Sequence, residues 1–142
     1  MTPYSRATDQ YLAQKVMGAS PEQLVAMLLE AGQRYLLKTV QAMGRRDCPG
    51  QAQATDRVFA ILQELTLRLN REEGGELATN LLRTYEWWGR ELMQANMKRQ
   101  PERLERISEQ MGDLKQTWEQ LHQMKVGAAQ AQTPFLTGAL AG

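Results

Sequence analysis

The stretch NLLRTYEWWGRELMQANMKRQPERLERISEQMGDLKQTWEQL, from Asn80 to Leu121, decides the fold. Two helical patterns meet in it at one break, Gln100-Pro101. After the break, Leu104, Ile107, Met111, Leu114, Trp118 and Leu121 step alternately by three and four, the spacing of a single apolar seam on a helix. Nearly all the residues between them, among them Glu105, Arg106, Glu109, Gln110, Asp113 and Lys115, are charged or amide. Before the break, Leu81, Tyr85, Trp88, Leu92 and Ala95 share one side. A short break between two apolar-striped helices predicts an antiparallel hairpin. Trp87, Trp88 and Trp118 all fall here, so much of the bulky core material does too.

Upstream, Arg71-Glu72-Glu73-Gly74-Gly75 separates this hairpin from another helix, whose stripe is Ala54, Val58, Ile61, Leu62, Leu65 and Leu69. Phe59 and Leu67 lie outside that stripe and are expected at the surface. The turn Arg45-Arg46-Asp47-Cys48-Pro49-Gly50 precedes it. The first helix opens at Ser20-Pro21-Glu22-Gln23: Ser20 caps, Pro21 suits the first helical position, and Gln23 completes a capping box. Its apolar residues form two adjoining faces. Leu24, Met27, Leu28, Ala31 and Tyr35 make the first, and Val25, Leu29, Leu36, Val40 and Met43 the second. Together they span roughly 200° of the wheel, where a surface helix needs about 100°. Either the helix is buried on two sides, or part of the arc is kept for a partner. Trp87 faces away from its stripe, with Arg83 four residues before and Arg90 three after; it is either an indole covered by arginine stems and cation–π contact or an anchor for a partner. Gly112 weakens the last helix and permits close approach of a neighbour.

The expected architecture is all-α: an antiparallel up-down four-helix bundle with a short N-terminal arm and a flexible C-terminal tail. The arm covers residues 1–19, the bundle 20–125 and the tail 126–142, with helices at about 20–44, 51–70, 75–99 and 101–125. Composition agrees, being rich in Leu, Gln, Ala, Glu, Arg and Met. A net charge of +1 with both signs mixed along every helix argues against nucleic acid as a partner. No apolar run is long enough to insert in a bilayer, and MTPYSRATDQYLAQK lacks the basic-then-apolar order of a secretory signal. The single Cys48 rules out an intrachain disulfide and suits a cytoplasmic setting.

Catalytic chemistry finds no footing. Glu119-Gln120-Leu121-His122 has the spacing of half a di-iron site, yet His122 is the only histidine. Cys48 sits in a Pro-Gly turn with no base near in sequence, and Glu72-Glu73 precede two glycines as a solvated turn would. No phosphate-cradling glycine loop follows a strand. The expectation is a protein that is not an enzyme and takes no cofactor and no metal.

Several segments, in order, resemble the bacterial flagellin-specific export chaperones, the FliS family. Asn80-Leu81-Leu82 through Tyr85, then Leu92 to Asn96, then Leu114-Lys115-Gln116-Thr117-Trp118 are similar to the family's NL…LY…LxxAN…LRxTW. Leu69 to Ala78 resembles its L(D/N)xExGGEIA segment, and Ala19 to Leu28 its TASPxxLxxML start. Gly18 stands where threonine is usual, Leu29-Glu30-Ala31-Gly32 replaces the common YDGA, and Gln100 a usual aspartate cap.

The resemblance implies a cytoplasmic chaperone that holds the disordered C-terminal segment of flagellin in apolar grooves, prevents early polymerisation and presents the subunit for flagellar type III secretion. Further partners it implies are the anti-sigma factor of flagellar transcription and the flagellar export gate. Joined to the surplus apolar arc of the first helix, it places client contacts at Tyr11 and Met17 of the arm and at Val25, Leu29, Leu36 and Val40 of the second face. Phe59, Tyr85, Met93 and Asn96 complete the expected surface. Methionines such as Met27, Met43 and Met97 suit a surface that repacks around a client. The competing readings are a self-associating helical adaptor or structural bundle, and a divergent chaperone for another flagellar client.

Overall fold

A computed structural model describes residues 17–141, with the side chains of Arg71 and of 130–141 left aside. It contains four helices: α1 (Pro21–Gly44), α2 (Cys48–Leu67), α3 (Arg71–Lys98) and α4 (Pro101–Ala141). No strand occurs among the described residues. The expected N-terminal arm, including Tyr11, lies almost wholly outside them.

Local chemistry sets each start. At α1 the capping box forms as the sequence predicts: Gln23 N–H donates to Ser20 Oγ at 3.1 Å and Ser20 N–H to Gln23 Oε1 at 2.9 Å. The second helix begins at Cys48, three residues before the expected Gln51. Asp47 accepts from Gly50 N–H at 3.0 Å, and Pro49 fits the first turn, so the apparent Pro-Gly turn is helical. A Cβ at Gly50 would lie 2.2 Å from Asp47 Oδ2, so any larger residue there would shift the capping carboxylate. Asn70 caps α3 through Glu73 N–H, and one turn later the chain kinks at Gly75, whose φ of 55° favours glycine. Leu77, two residues past the kink, is exposed.

The end of α3 is a Schellman turn built on an arginine. Arg99 is left-handed, with φ 53° and ψ 54°, and Gln100 N–H reaches back to Ala95 O at 2.9 Å. A glycine is usual at this position. Arg99 instead donates from Nη2 to Met43 O at 3.1 Å, satisfying a carbonyl near the end of α1. Gln100, a poor cap for α4, accepts from Arg103 Nη1 at 2.9 Å.

Met27–Lys115 forms one compact unit that holds a stretch of every helix. Within it the neighbours run antiparallel. Gln33 Nε2 donates to Ser108 O across α1 and α4, and Glu30 pairs with Lys115 further along. Gln51 Nε2 donates to Asn96 Oδ1 across α2 and α3. Trp88 Nε1 donates to Gln110 Oε1 at 2.8 Å across α3 and α4. Arg103 grips Glu91 with two nitrogens, at 2.5 and 3.0 Å, between the same helices. That hydrogen-bonded pair holds the Glu91 carboxyl below its ordinary range against the opposing effect of burial, so its contribution to stability is lost as pH falls.

The core is assembled from Leu29 and Leu36 of α1, Val58 and Leu65 of α2, Trp88 and Leu92 of α3, and Leu104, Ile107 and Met111 of α4. The α4 seam is sealed only as far as Met111; Leu114 and Trp118 are half-buried and Leu121 is exposed. Helices α1 and α4 approach closely where side chains are missing. A Cβ on Gly32 would sit 2.8 Å from Met111 Sδ, and one on Gly112 2.8 Å from Gln33 Nε2.

A second unit joins the start of α1, through Ala26, to α4 from Gln116 onward. There Ser20 Oγ lies 3.0 Å from His122 Nδ1, and Lys125 pairs with Glu22. The Trp118 indole N–H is shielded from solvent and has no hydrogen-bond partner among the described residues. From Leu121 to Ala129, past the end of the apolar pattern, every side chain except His122 is exposed.

Tyr85 is 3% exposed, its ring 5.8 Å from that of Trp88 at 39°. Burial pushes its phenol up to about 12. An unfolded tyrosine ionises near 10, so above that pH the unfolded state releases a proton that the folded state keeps. Stability therefore falls between about pH 10 and 12, by up to about 1.4 kcal/mol per unit from this group. Denaturant unfolding at pH 9 and pH 11.5 should show this loss in the parent protein and a smaller one in Tyr85→Phe; equal losses would remove Tyr85 as the cause.

Candidate functional site

The close approach at Gly32 and Gly112 does not persist along the α1–α4 seam. Toward the C-terminal end of α1 the two helices leave an open groove of about 300 Å³. Leu36 and Leu104 form its floor, being 1% and 0% exposed. Leu37, 57% exposed, and half-buried Val40 form one wall. Glu105, Ser108 and Glu109 of α4 form the other. The Ser108 carbonyl is already occupied by Gln33, so what the groove offers a ligand is aliphatic surface beside two carboxylates. An amphipathic helix or short apolar segment carrying cations along one edge fits that chemistry.

The residues expected to form a client surface fall into three groups. Leu36 and Val40 line the groove. Leu29 and Tyr85 are core residues, at 0% and 3% exposure, and any ligand that touched them would have to displace the chain's own side chains. Asn96 is committed within the fold: its oxygen accepts from Gln51 Nε2 at 2.9 Å, and its amide donates to Leu92 O at 2.9 Å. Met17 and Met93 are exposed, Val25 and Phe59 half-buried, and Tyr11 is outside the described residues. Phe59, expected at the surface, instead faces Gly89, at whose Cβ position its ring would lie 3.9 Å away.

The two faces of α1 exchange roles relative to expectation. The second face is the core face, with Leu29, Leu36 and Met43 all buried. The first face, Leu24, Met27, Leu28, Ala31 and Tyr35, is half-buried throughout. Packing against α4 through Gly32 and Gln33 turns the second face inward, so only Val40 of that face and the floor atoms of Leu36 reach the groove. Leu37 belongs to neither stripe. A leucine off both apolar faces was the available signal for the groove wall.

Cys48 is exposed in the first turn of α2. No group of three or more histidine, cysteine, aspartate or glutamate side chains is placed to hold a metal ion among the described residues.

A family model described as flagellar protein FliS matches residues 4–125. The flagellar secretion chaperone FliS of Salmonella typhimurium is 30% identical to the chain over 75% of its length and 79% of the relative's. The flagellar secretion chaperone FliSB of Pseudomonas aeruginosa is 30% identical over 80% of this chain and 94% of its own. The FliS chaperone of Bacillus subtilis is 27% identical, covering 78% and 81%.

The geometry separates substitutions that probe the groove from those that break the fold. Leu36→Asp buries a charge and should cost more than about 4 kcal/mol. Leu37→Asp, on the exposed wall, should cost within about 0.5 kcal/mol. Urea unfolding of both variants tests the assignment; comparable losses would mean that Leu37 is packed and the groove closed.

Proposed function

The chain belongs to the FliS family of flagellar proteins, and on that footing we propose that it is a cytoplasmic secretion chaperone whose client is the C-terminal segment of flagellin. The observation that carries the reading is the open aliphatic groove between α1 and α4, with Leu36 and Leu104 as floor, Leu37 and Val40 as wall and Glu105 and Glu109 as rim. A client segment that is disordered when free loses ordering entropy on binding and needs apolar contact to offset it. The groove supplies such contact without asking the bundle core to open. The chaperone acts by occupancy: apolar residues of the client that would otherwise find other flagellin subunits are covered, and no bond is made or broken. The names of its relatives, which are flagellar secretion chaperones, support this reading. So does the absence, among the described residues, of any helix long and apolar enough to cross a membrane.

The finer partners are part of the same proposal. An export gate and the anti-sigma factor of flagellar transcription would engage the chaperone with or without its client. The groove itself fits one amphipathic segment.

Calorimetric titration with a synthetic C-terminal flagellin segment from the same organism tests the reading. The parent protein should bind it saturably, and Leu37→Asp and Val40→Asp should each weaken binding by about tenfold, the scale of a lost interface anchor. Glu105→Lys with Glu109→Lys should weaken it further at low salt than at high salt. Unchanged affinity in Leu37→Asp would remove the groove from the client site. A stable homo-oligomer by sedimentation with no flagellin affinity would favour self-association through the same apolar surface.

A further inference from the structure

A second trough, of about 560 Å³, lies on the α3–α4 face and is lined by Arg83, Thr84, Trp87, Arg90 and Gln110. Its chemistry differs from that of the groove. Trp87 is 37% exposed, and neither arginine covers it: the one cation over a ring among the described residues is Lys38 over Tyr35. The open aromatic surface that the sequence left undecided is therefore present. Arg83 and Arg90 are exposed and pair with no carboxylate among the described residues.

The polar groups of the trough are almost all donors. The two guanidinium groups have no acceptor, and the Trp87 indole nitrogen only donates. Gln110 could accept through its amide oxygen, but that atom already takes the Trp88 N–H at 2.8 Å, leaving the amide N–H groups. Thr84 is the exception: its hydroxyl proton goes to Asn80 O at 3.0 Å, which leaves its oxygen to accept. With the guanidinium, indole and amide N–H groups outnumbering the one hydroxyl oxygen, the trough favours a ligand rich in acceptors, and two positive charges select negative ones. Tryptophan and arginine are also the side chains most enriched where protein interfaces concentrate their binding energy.

We propose that this trough is a second docking site, separate from the α1–α4 groove, for a protein segment that presents Asp or Glu side chains beside one aromatic or large aliphatic residue. The carboxylates meet Arg83 and Arg90, and the apolar side chain lies against Trp87. A protein segment fits better than nucleic acid. Aromatic stacking between two cations would also suit a single strand, but the chain's net charge of +1 provides no wider basic track for a phosphate backbone. The site stands apart from the client reading, since none of its residues lines the groove.

The test uses the full chain labelled with ¹⁵N, whose three tryptophans give three indole cross-peaks. Trp87→Phe assigns the Trp87 signal. The probe is the peptide acetyl-Glu-Glu-Phe-Glu-Glu-amide, with the lysine-for-glutamate version and a short oligothymidylate as comparisons. The Trp87 indole and the Arg83 and Arg90 amides should shift saturably with the acidic peptide, and the basic peptide should leave them in place. Arg83→Ala with Arg90→Ala should weaken binding by about tenfold, while Leu37→Asp leaves it unchanged. Thermal unfolding of the double variant checks that it stays folded; both arginines are exposed. No shift at the Trp87 signal, equal binding of the basic peptide, or shifts with the oligothymidylate alone would overturn the proposal. If Leu37→Asp abolished peptide binding, the site would be the groove and the proposal would likewise fail.

Discussion

Met111 holds its sulfur where a Cβ on residue 32 would have to stand. That missing atom, with its counterpart at Gly112, leaves room for the Met111 and Gln33 side chains between α1 and α4. At this level Met111 is buried against Gly32 and Ile61, and Leu29, Leu36 and Met43 of α1 are buried as well. Away from the glycines the seam opens beside Leu37 and Val40, with Leu36 and Leu104 beneath. The recess is thus a product of packing within the bundle, present before any partner arrives.

Much of the fold could be read from the chain. The three-four stepping of Leu104, Ile107 and Met111, the stripe ending in Trp88, Leu92 and Ala95, and the Ser20-Gln23 box all appear where periodicity and capping placed them. What resisted reading was whatever depends on a second helix. Both stripes of α1 are apolar, and which one is buried depends on where α4 packs, beside Gly32 and Gln33. Asn96 carries the same letters whether it serves a partner or Gln51, and the choice lies in a residue 45 positions away. The start of α2 was obscured because Pro and Gly punctuate turns more often than they open helices, while Asp47 makes this pair an opening. The groove itself was partly legible, through Leu36 and Val40, but its outer wall, Leu37, followed no stripe.

A near-neutral total conceals an uneven surface. Glu105 and Glu109 edge the aliphatic groove, whereas Arg83 and Arg90 flank the open indole on the α3–α4 face. Both recesses draw on α4, one through Leu104 to Glu109 and the other through Gln110, so a single helix contributes to two walls of opposite polarity. A ligand suited to either recess would meet like charge at the other, which disfavours exchange between them.

The three indoles also experience three distinct settings. Trp88 is sealed and hydrogen-bonded, Trp87 meets solvent, and Trp118 is shielded with no acceptor for its N–H among the described residues. A donor withdrawn from water and left without an acceptor is disfavoured by about 1–3 kcal/mol. Among the described residues, then, α4 carries one shielded donor with no acceptor, at the point where its buried seam gives way to an exposed stretch.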